Sequence, residues 1–211
     1  MTSIYIKNDT LLPARHKHDL YRTELNLIRE AVKTFLVRDS QPHNILDIGA
    51  GDGRWGKITK QYTGAQHLIG VEIMDVPNPG EFTLWCPNQD FLTWEIDNVG
   101  IQFDVIVSNP PYYAAEDIIR RALSILAPRG TALFLLRLAF QAGVSRYNNF
   151  WNEYPLSSLG VLSRRPSFYG NGTNGTDYGI FCWRKGRDGE FSYFSNDSRA
   201  WITKLINYER D

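Results

Sequence analysis

Apolar positions along the chain fall into two rhythms. Over residues 18–38, Leu20, Leu25, Ile28, Val32, Phe35 and Leu36 recur at helical spacing with polar residues between them, which predicts a helix. After it come short apolar runs of strand length. Asn44-Ile45-Leu46-Asp47-Ile48 ends in glycines, His67–Glu72 ends in an acid, and Phe82–Cys86 is a third run. Phe103–Val107 is a fourth, stopped by Pro110 and Pro111, which cannot donate to a sheet ladder. Thr131–Leu136 is a fifth. Helices are expected between them, over 55–62 and over 115–127, the second closed by Pro128-Arg129-Gly130. Residues 158–164 and 177–184 read as a late antiparallel pair joined by a Gly/Asn-rich loop that includes Asn171 and Asn174. Residues 187–211 read as a polar extension with a short helix near Trp201–Tyr208.

Strands alternating with helices predict a mostly parallel sheet covered on both faces. Such sheets bind ligands outside the carboxyl ends of their strands, near a topological switch point, and the distinctive residues of this chain fall at those ends. The length of 211 residues fits one α/β domain, taken as 1–186 with the N-terminal helix included, followed by the 187–211 extension. No internal repeat or low-complexity linker interrupts it.

Charge changes the picture only locally. The formal net charge is zero, so the whole-chain average points to no polyanionic partner. Between Arg137 and Arg187, however, seven basic residues (Arg137, Arg146, Arg164, Arg165, Arg184, Lys185, Arg187) stand against Glu153 and Asp177. They are interleaved with Tyr147, Phe150, Trp151, Tyr154, Phe168, Tyr169, Tyr178 and Trp183, a mixture that suits a polyanion with stackable bases; the alternative is a late strand pair with solvated arginines. Cys86 and Cys182 give neither a disulfide framework nor zinc spacing, and His16-Lys17-His18 lacks the acidic or thiolate partners of a metal site. Arg120-Arg121 reads as a helix surface. The start has no apolar signal core and no run is long enough to span a bilayer, so a cytoplasmic protein with no membrane partner and no metal is expected.

The first chemical signal is Asp47-Ile48-Gly49-Ala50-Gly51-Asp52-Gly53, where the first strand meets its helix. Glycines allow a tight turn and let a ligand touch the backbone. A dinucleotide fingerprint would read Gly-x-Gly-x-x-Gly; here an acid precedes Gly-x-Gly-x-Gly. Asp47 would repel a pyrophosphate but suits the ammonium of an amino-acid moiety. Glu72, at the end of the second strand, can accept both ribose hydroxyls. Asp90-Phe91, after the third strand, offers an acid for an adenine amine and a ring for its face; the alternative is a cap and a core residue.

From about Asn44 to about Trp183 the chain resembles class I S-adenosylmethionine-dependent methyltransferases. Asp47, Gly49, Gly51 and Gly53 match that family's cofactor loop, and Glu72 matches its ribose-binding acid. The resemblance implies a Rossmann-like α/β fold with a seven-stranded, mostly parallel sheet whose last strand is antiparallel, and S-adenosyl-L-methionine as cofactor. Tyr21-Arg22-Thr23-Glu24 is similar to the Tyr-x-Thr-Pro segment that supports the methionine end of the cofactor in many DNA methyltransferases, which adds Tyr21 and Thr23 to the cofactor site; Glu24 departs from the pattern.

The second signal is Ser108-Asn109-Pro110-Pro111-Tyr112, directly after the fourth strand. The exocyclic amine of adenine is a poor nucleophile because its lone pair is delocalised into the ring. The Asn109 side-chain carbonyl and the Pro110 backbone carbonyl can accept both amino protons, favouring a tetrahedral nitrogen. Consecutive prolines stiffen the acceptors in place, and Tyr112 offers a ring face. This segment resembles the amino-methyltransferases, whose motif is Asp/Asn/Ser-Pro-Pro-aromatic; the Asn-Pro-Pro-Tyr form is shared by enzymes for adenine and for protein glutamine. Residues Arg165–Gly170 and Thr176–Trp183 look like the late-strand region of small phage-type and bacterial adenine methyltransferases, where Phe168 or Tyr169 would complete a clamp on a flipped base, with Arg164 and Arg165 beside it; the alternative for either ring is a strand-end aromatic closing the core. The expectation is methylation of adenine N6 in DNA, ahead of RNA. A protein glutamine methyltransferase is the alternative enzyme, and a catalytically silent nucleic-acid-binding module the alternative of another class.

Overall fold

The structure is a computed structural model and describes residues 4–7, 10–13, 21–36, 42–96, 100–168, 175–191 and 202–211. A two-stranded antiparallel hairpin, β1 (Ile4–Lys7) and β2 (Thr10–Pro13), precedes the domain. The domain itself runs α1 (Leu25–Phe35), β3 (Asn44–Ile48), α2 (Arg54–Thr63), β4 (His67–Val71), β5 (Leu84–Cys86), β6 (Phe103–Ser108), α3 (Ala115–Ser124), β7 (Leu126–Arg137), β8 (Ser158–Leu162), β9 (Tyr178–Arg184) and β10 (Ile202–Ile206). A 3₁₀ turn, Leu138–Gln141, and a helical segment ending in the π turn Tyr147–Trp151 link β7 to β8.

Among the described residues the main sheet has eight strands in the order β10-β8-β9-β7-β6-β3-β4-β5. β3, β4, β5, β6 and β7 are mutually parallel, and β9 lies antiparallel between β7 and β8. The expected α/β class and antiparallel late strand are therefore present, with one strand more than expected. Strand periodicity sorts the core onto two faces. Leu46, Ile106, Phe134, Leu136, Phe181 and Trp183 face α3, while Ile45, Val105, Leu133, Leu135 and Ile180 face α1 and α2. α1 buries Leu27, Ile28, Ala31, Val32 and Phe35 along one stripe, and α3 buries Ala115, Ile118, Ile119, Ala122 and Leu123.

Three expectations about elements need correction. The helix over 18–38 begins only at Leu25, because Tyr21–Glu24 is extended and spends its polar groups on other segments; residues 18–20 and 37–38 lie outside those described. Pro128-Arg129-Gly130 does not close α3. It forms an irregularity inside β7, where pairing with β6 shifts between Phe103↔Leu126 and Val105↔Thr131, and Arg129 takes a φ of 67°. The helix expected near Trp201–Tyr208 is strand β10, parallel to β8. There Ile206 is buried and Leu205 exposed, a period of two rather than 3.6, and Ile206 packs so closely on Gly160 that a Cβ there would lie 2.4 Å from its Cδ1. No helix among the described residues is long and apolar enough to cross a membrane.

Candidate active site

Parallel registry brings three loops to one edge of the sheet. Ile48 stands opposite Val71 of β4 and opposite Ser108 of β6, so the chain leaving each of these strands emerges at the same level. The Ser108 hydroxyl locks this edge by donating to the Ile48 carbonyl at 2.7 Å.

The glycine turn after β3 requires its glycines. Gly49, Gly51 and Gly53 have φ of 63°, 54° and 77°, where a side chain is strained. The turn hangs on β4, because Gly49 and Ala50 both donate to the Val71 carbonyl, at 2.9 and 3.2 Å. A Cβ on Gly49 would meet nothing within 4 Å, so this side of the turn faces open space, whereas one on Gly53 would fall 2.7 Å from Phe82. Glu72, only 4% exposed, is tied to the same turn: one oxygen accepts from Gly51 N at 2.8 Å and the other from Met74 N at 2.9 Å. A carboxylate oxygen has more than one acceptor site, so both keep capacity for further donors.

Asp47 is 1% exposed and turned toward α2, where it accepts from Gly56 N at 2.7 Å. A Cβ at Gly56 would sit 2.9 Å from that oxygen, so glycine makes room for the acid. Burial pushes the Asp47 carboxyl well above the usual carboxylate range; the Gly56 N–H opposes this, and the charges of Glu72 and Asp52 add to it. Asp90 is exposed and accepts from Leu92 N at 2.9 Å, capping its own turn. Phe91 is buried against Trp94 and beneath the Arg121 guanidinium.

The extended Tyr21–Glu24 segment joins the glycine turn to the Asn109 loop. The Thr23 hydroxyl accepts from Trp55 Nε1 at 3.1 Å and from Asn109 Nδ2 at 3.2 Å; Asn109 Nδ2 also donates to the Tyr21 carbonyl at 3.3 Å. Arg54 donates to the Thr23 carbonyl at 3.0 Å and pairs with Asp52 at 2.8 Å. With its amide nitrogen so committed, Asn109 presents Oδ1 on the other side, where it accepts the Tyr112 hydroxyl at 3.2 Å. Trp55 and Arg54 are site residues that sequence reasoning missed; only their place just after the glycine turn could have signalled them.

Tyr112 is tucked in rather than open. Its ring meets Tyr178 at 5.7 Å and Tyr21 at 6.3 Å between centroids, and the Arg137 guanidinium lies over it at 4.9 Å. Burial is the main cause that pushes its hydroxyl pKa far up, so it remains a donor. The exposed aromatic is its neighbour Tyr113, at 72%. Phe168 does reach this cluster, edge-on to Tyr21 at 5.7 Å and to Tyr178 at 5.4 Å, but it is buried as a core ring; Tyr169 lies outside the described residues.

The basic stretch does not form one face. β9 runs against β7, so Thr131↔Arg184 pairing puts Arg184, and with it Lys185 and Arg187, at the end of the sheet opposite the site. Arg146 braces α3 through Glu116 at 3.1 Å. Arg137, Arg164 and Arg165 remain at the site end; Arg164 pairs with Glu209 at 3.6 Å and Arg165 with Asp177 at 2.8 Å. Cys86 and Cys182 are free thiols, and no group of three His, Cys, Asp or Glu among the described residues is placed to hold a metal.

A glycine turn open on one side, directly bonded to a buried carboxylate with spare acceptor capacity, fits a ligand that combines a ribose diol with an amino-acid end. Comparison with known proteins agrees. A profile of the methyltransferase domain family matches residues 18–173. A tRNA1(Val) (adenine(37)-N6)-methyltransferase of Aliivibrio fischeri (strain MJ11) is 30% identical over 84 residues, covering 35% of this chain and 35% of that protein, so the match spans about a third of the relative. Two solved structures share the fold. One is a Listeria monocytogenes protein assigned to the class I S-adenosylmethionine-dependent methyltransferases (TM-score 0.63, 13% identity, 91% of this chain and 67% of that one). The other is a type I restriction enzyme modification subunit of Vibrio vulnificus YJ016 (TM-score 0.62, 13% identity, 84% of this chain and 46% of that one). The chain belongs to the methyltransferase domain family, and its cofactor is S-adenosyl-L-methionine.

Proposed function

We propose that the protein methylates the exocyclic 6-amino group of adenine in nucleic acid, with Asn109, Pro110, Pro111 and Tyr112 as the catalytic loop. The observation that carries this reading is the fixed amide of Asn109. Two acceptors, the Tyr21 carbonyl and the Thr23 hydroxyl, hold its nitrogen, so its carbonyl oxygen is a preorganised acceptor at the carboxyl end of β6. The Tyr112 hydroxyl donates to that oxygen now, and an amino N–H of the target would replace it in kind. The Pro110 carbonyl, stiffened by the following proline, accepts a hydrogen bond from the second amino N–H. Both acceptors draw the nitrogen toward a tetrahedral geometry with its lone pair free. Bound S-adenosylmethionine supplies an electrophilic methyl group on a sulfonium sulfur. The attacking nitrogen then carries an acidic proton that passes to solvent, so no strong base is required.

Glu72 holds the ribose diol in this reading, and the glycine turn takes the ligand against its backbone. Asp47 sets the α2 end of that turn by accepting from Gly56 N. Tyr21 and Thr23 contribute as the bridge between cofactor turn and catalytic loop. Arg164 and Arg165 are held only by surface pairs, worth roughly 0–1 kcal/mol, and can exchange a carboxylate for a phosphate at small cost. The relative that acts on tRNA and the modification subunit sharing the fold make RNA and DNA both acceptors to test. Labelled methyl transfer to duplex DNA, single-stranded DNA, RNA and protein extract in parallel should place label on adenine N6 in a nucleic acid; label on protein glutamine alone would reject the reading.

A further inference from the structure

Arg137 ends β7 beside the Asn109 loop, and its guanidinium lies 4.9 Å from the centroid of the Tyr112 ring. Among the described residues it makes no hydrogen bond and no ion pair, and its Nε is buried without a partner. The acid next to its register partner Tyr178 is Asp177, which is committed to Arg165 at 2.8 Å. Arg146, Arg164 and Arg165 all have carboxylate partners. A half-buried cation with an orphaned N–H is expensive to keep, and here it is kept over the ring of the catalytic-loop tyrosine.

Resting on the adenine reading above, we propose that Arg137 is the phosphate contact of the target nucleotide. A guanidinium is planar and stacks on aromatic faces, so it can occupy the Tyr112 ring until a base arrives. The arriving base takes that face. Among the described residues the displaced guanidinium has no paired carboxylate, and the same nucleotide carries a phosphodiester that its fork of donors matches. A peptide glutamine brings no such anion, so the residue also selects nucleic acid over protein.

The test measures binding of labelled adenine-containing DNA and RNA oligonucleotides by fluorescence anisotropy across a salt series, with S-adenosylhomocysteine present. Cofactor affinity is measured by calorimetry alongside. Arg137→Gln should weaken oligonucleotide binding on the order of tenfold. It should also make the slope of log affinity against log salt shallower by about 0.7 for single strands or about 0.9 for duplex, with cofactor affinity unchanged. Arg137→Lys should keep the slope, since the charge remains. Arg137→Met, which keeps the stem and drops the charge, reads the same slope should Arg137→Gln lose its fold. An unchanged slope in the neutral variants overturns the phosphate contact while leaving adenine methylation standing wherever the wild type makes methyladenine. A wild type that binds neither nucleic acid and methylates glutamine overturns both.

Discussion

Asn109 presents its carbonyl through hydrogen bonds made by its other amide atom, and that arrangement decides what its removal should do. The acceptor is needed more in the transition state than in the ground state, so Asn109→Ala should slow single-turnover methyl transfer on the order of 100-fold or more while calorimetric cofactor affinity barely changes. Tyr112→Phe removes the hydroxyl that now occupies Oδ1 but keeps the ring, so activity should be retained; a loss as large as that of Asn109→Ala would mean the hydroxyl itself takes part. Asp47 makes a different prediction. Its folded-state pKa is raised, so its contribution to stability is full at low pH and is lost as pH climbs through the raised value. Asp47→Asn keeps an acceptor for Gly56 N without the buried charge. Thermal melting of the ligand-free variant should therefore exceed the wild type by a margin that widens as the pH is raised above the ordinary carboxylate range; a constant margin, or a wild type that melts higher throughout, would contradict the raised carboxyl. Asn109 and Glu72 were legible as candidates because motif and spacing put them at strand ends. Arg137 was not, because in sequence it is one of seven similar charges and only the fold shows it without a carboxylate partner among the described residues.

Among the elements, those marked by a continuous apolar run were read well, and those defined by contacts with distant chain alone were not. β3, β4, β6 and β9 announced themselves as apolar runs. The Tyr21–Glu24 segment read as helix because its apolar spacing continues α1, but its polar groups serve Asn109, Trp55 and Arg54, which no local pattern shows. β10 was missed because an edge strand is recognised by the strand it joins. The chain end is a further case. Glu24 makes no side-chain cap at the start of α1, and Asp211 supplies it instead, accepting from Leu25 N and from Asn26 N at 2.9 Å. A lost carboxylate cap costs about 1 kcal/mol, so Asp211→Ala should lower the melting temperature by roughly 2–4 °C. An unchanged melting curve would show that α1 is held by packing alone.

At the scale of the whole molecule, a sheet that reverses its winding beside β3 collects the glycine turn, Glu72 and the Asn109 loop at one edge, and the fold class follows from the order of apolar runs. Charge was the misleading signal at this scale, since an antiparallel strand carries Arg184, Lys185 and Arg187 to the far end of the sheet while leaving Arg137, Arg164 and Arg165 near the site. Glu72 ties the cofactor turn together and keeps acceptor capacity, so Glu72→Gln, which preserves one acceptor oxygen and the shape, should weaken S-adenosylmethionine binding without unfolding the protein; unchanged calorimetric affinity would remove it from the ribose site. The central claim, that this edge methylates adenine through Asn109, meets its most direct test in single-turnover transfer of labelled methyl to adenine-containing oligonucleotides, with the product digested to nucleosides. The account predicts label in N6-methyladenosine for the wild type and its near-complete loss in an Asn109→Ala variant that still binds cofactor. Undiminished transfer by that variant, or label found only on protein glutamine, would contradict it.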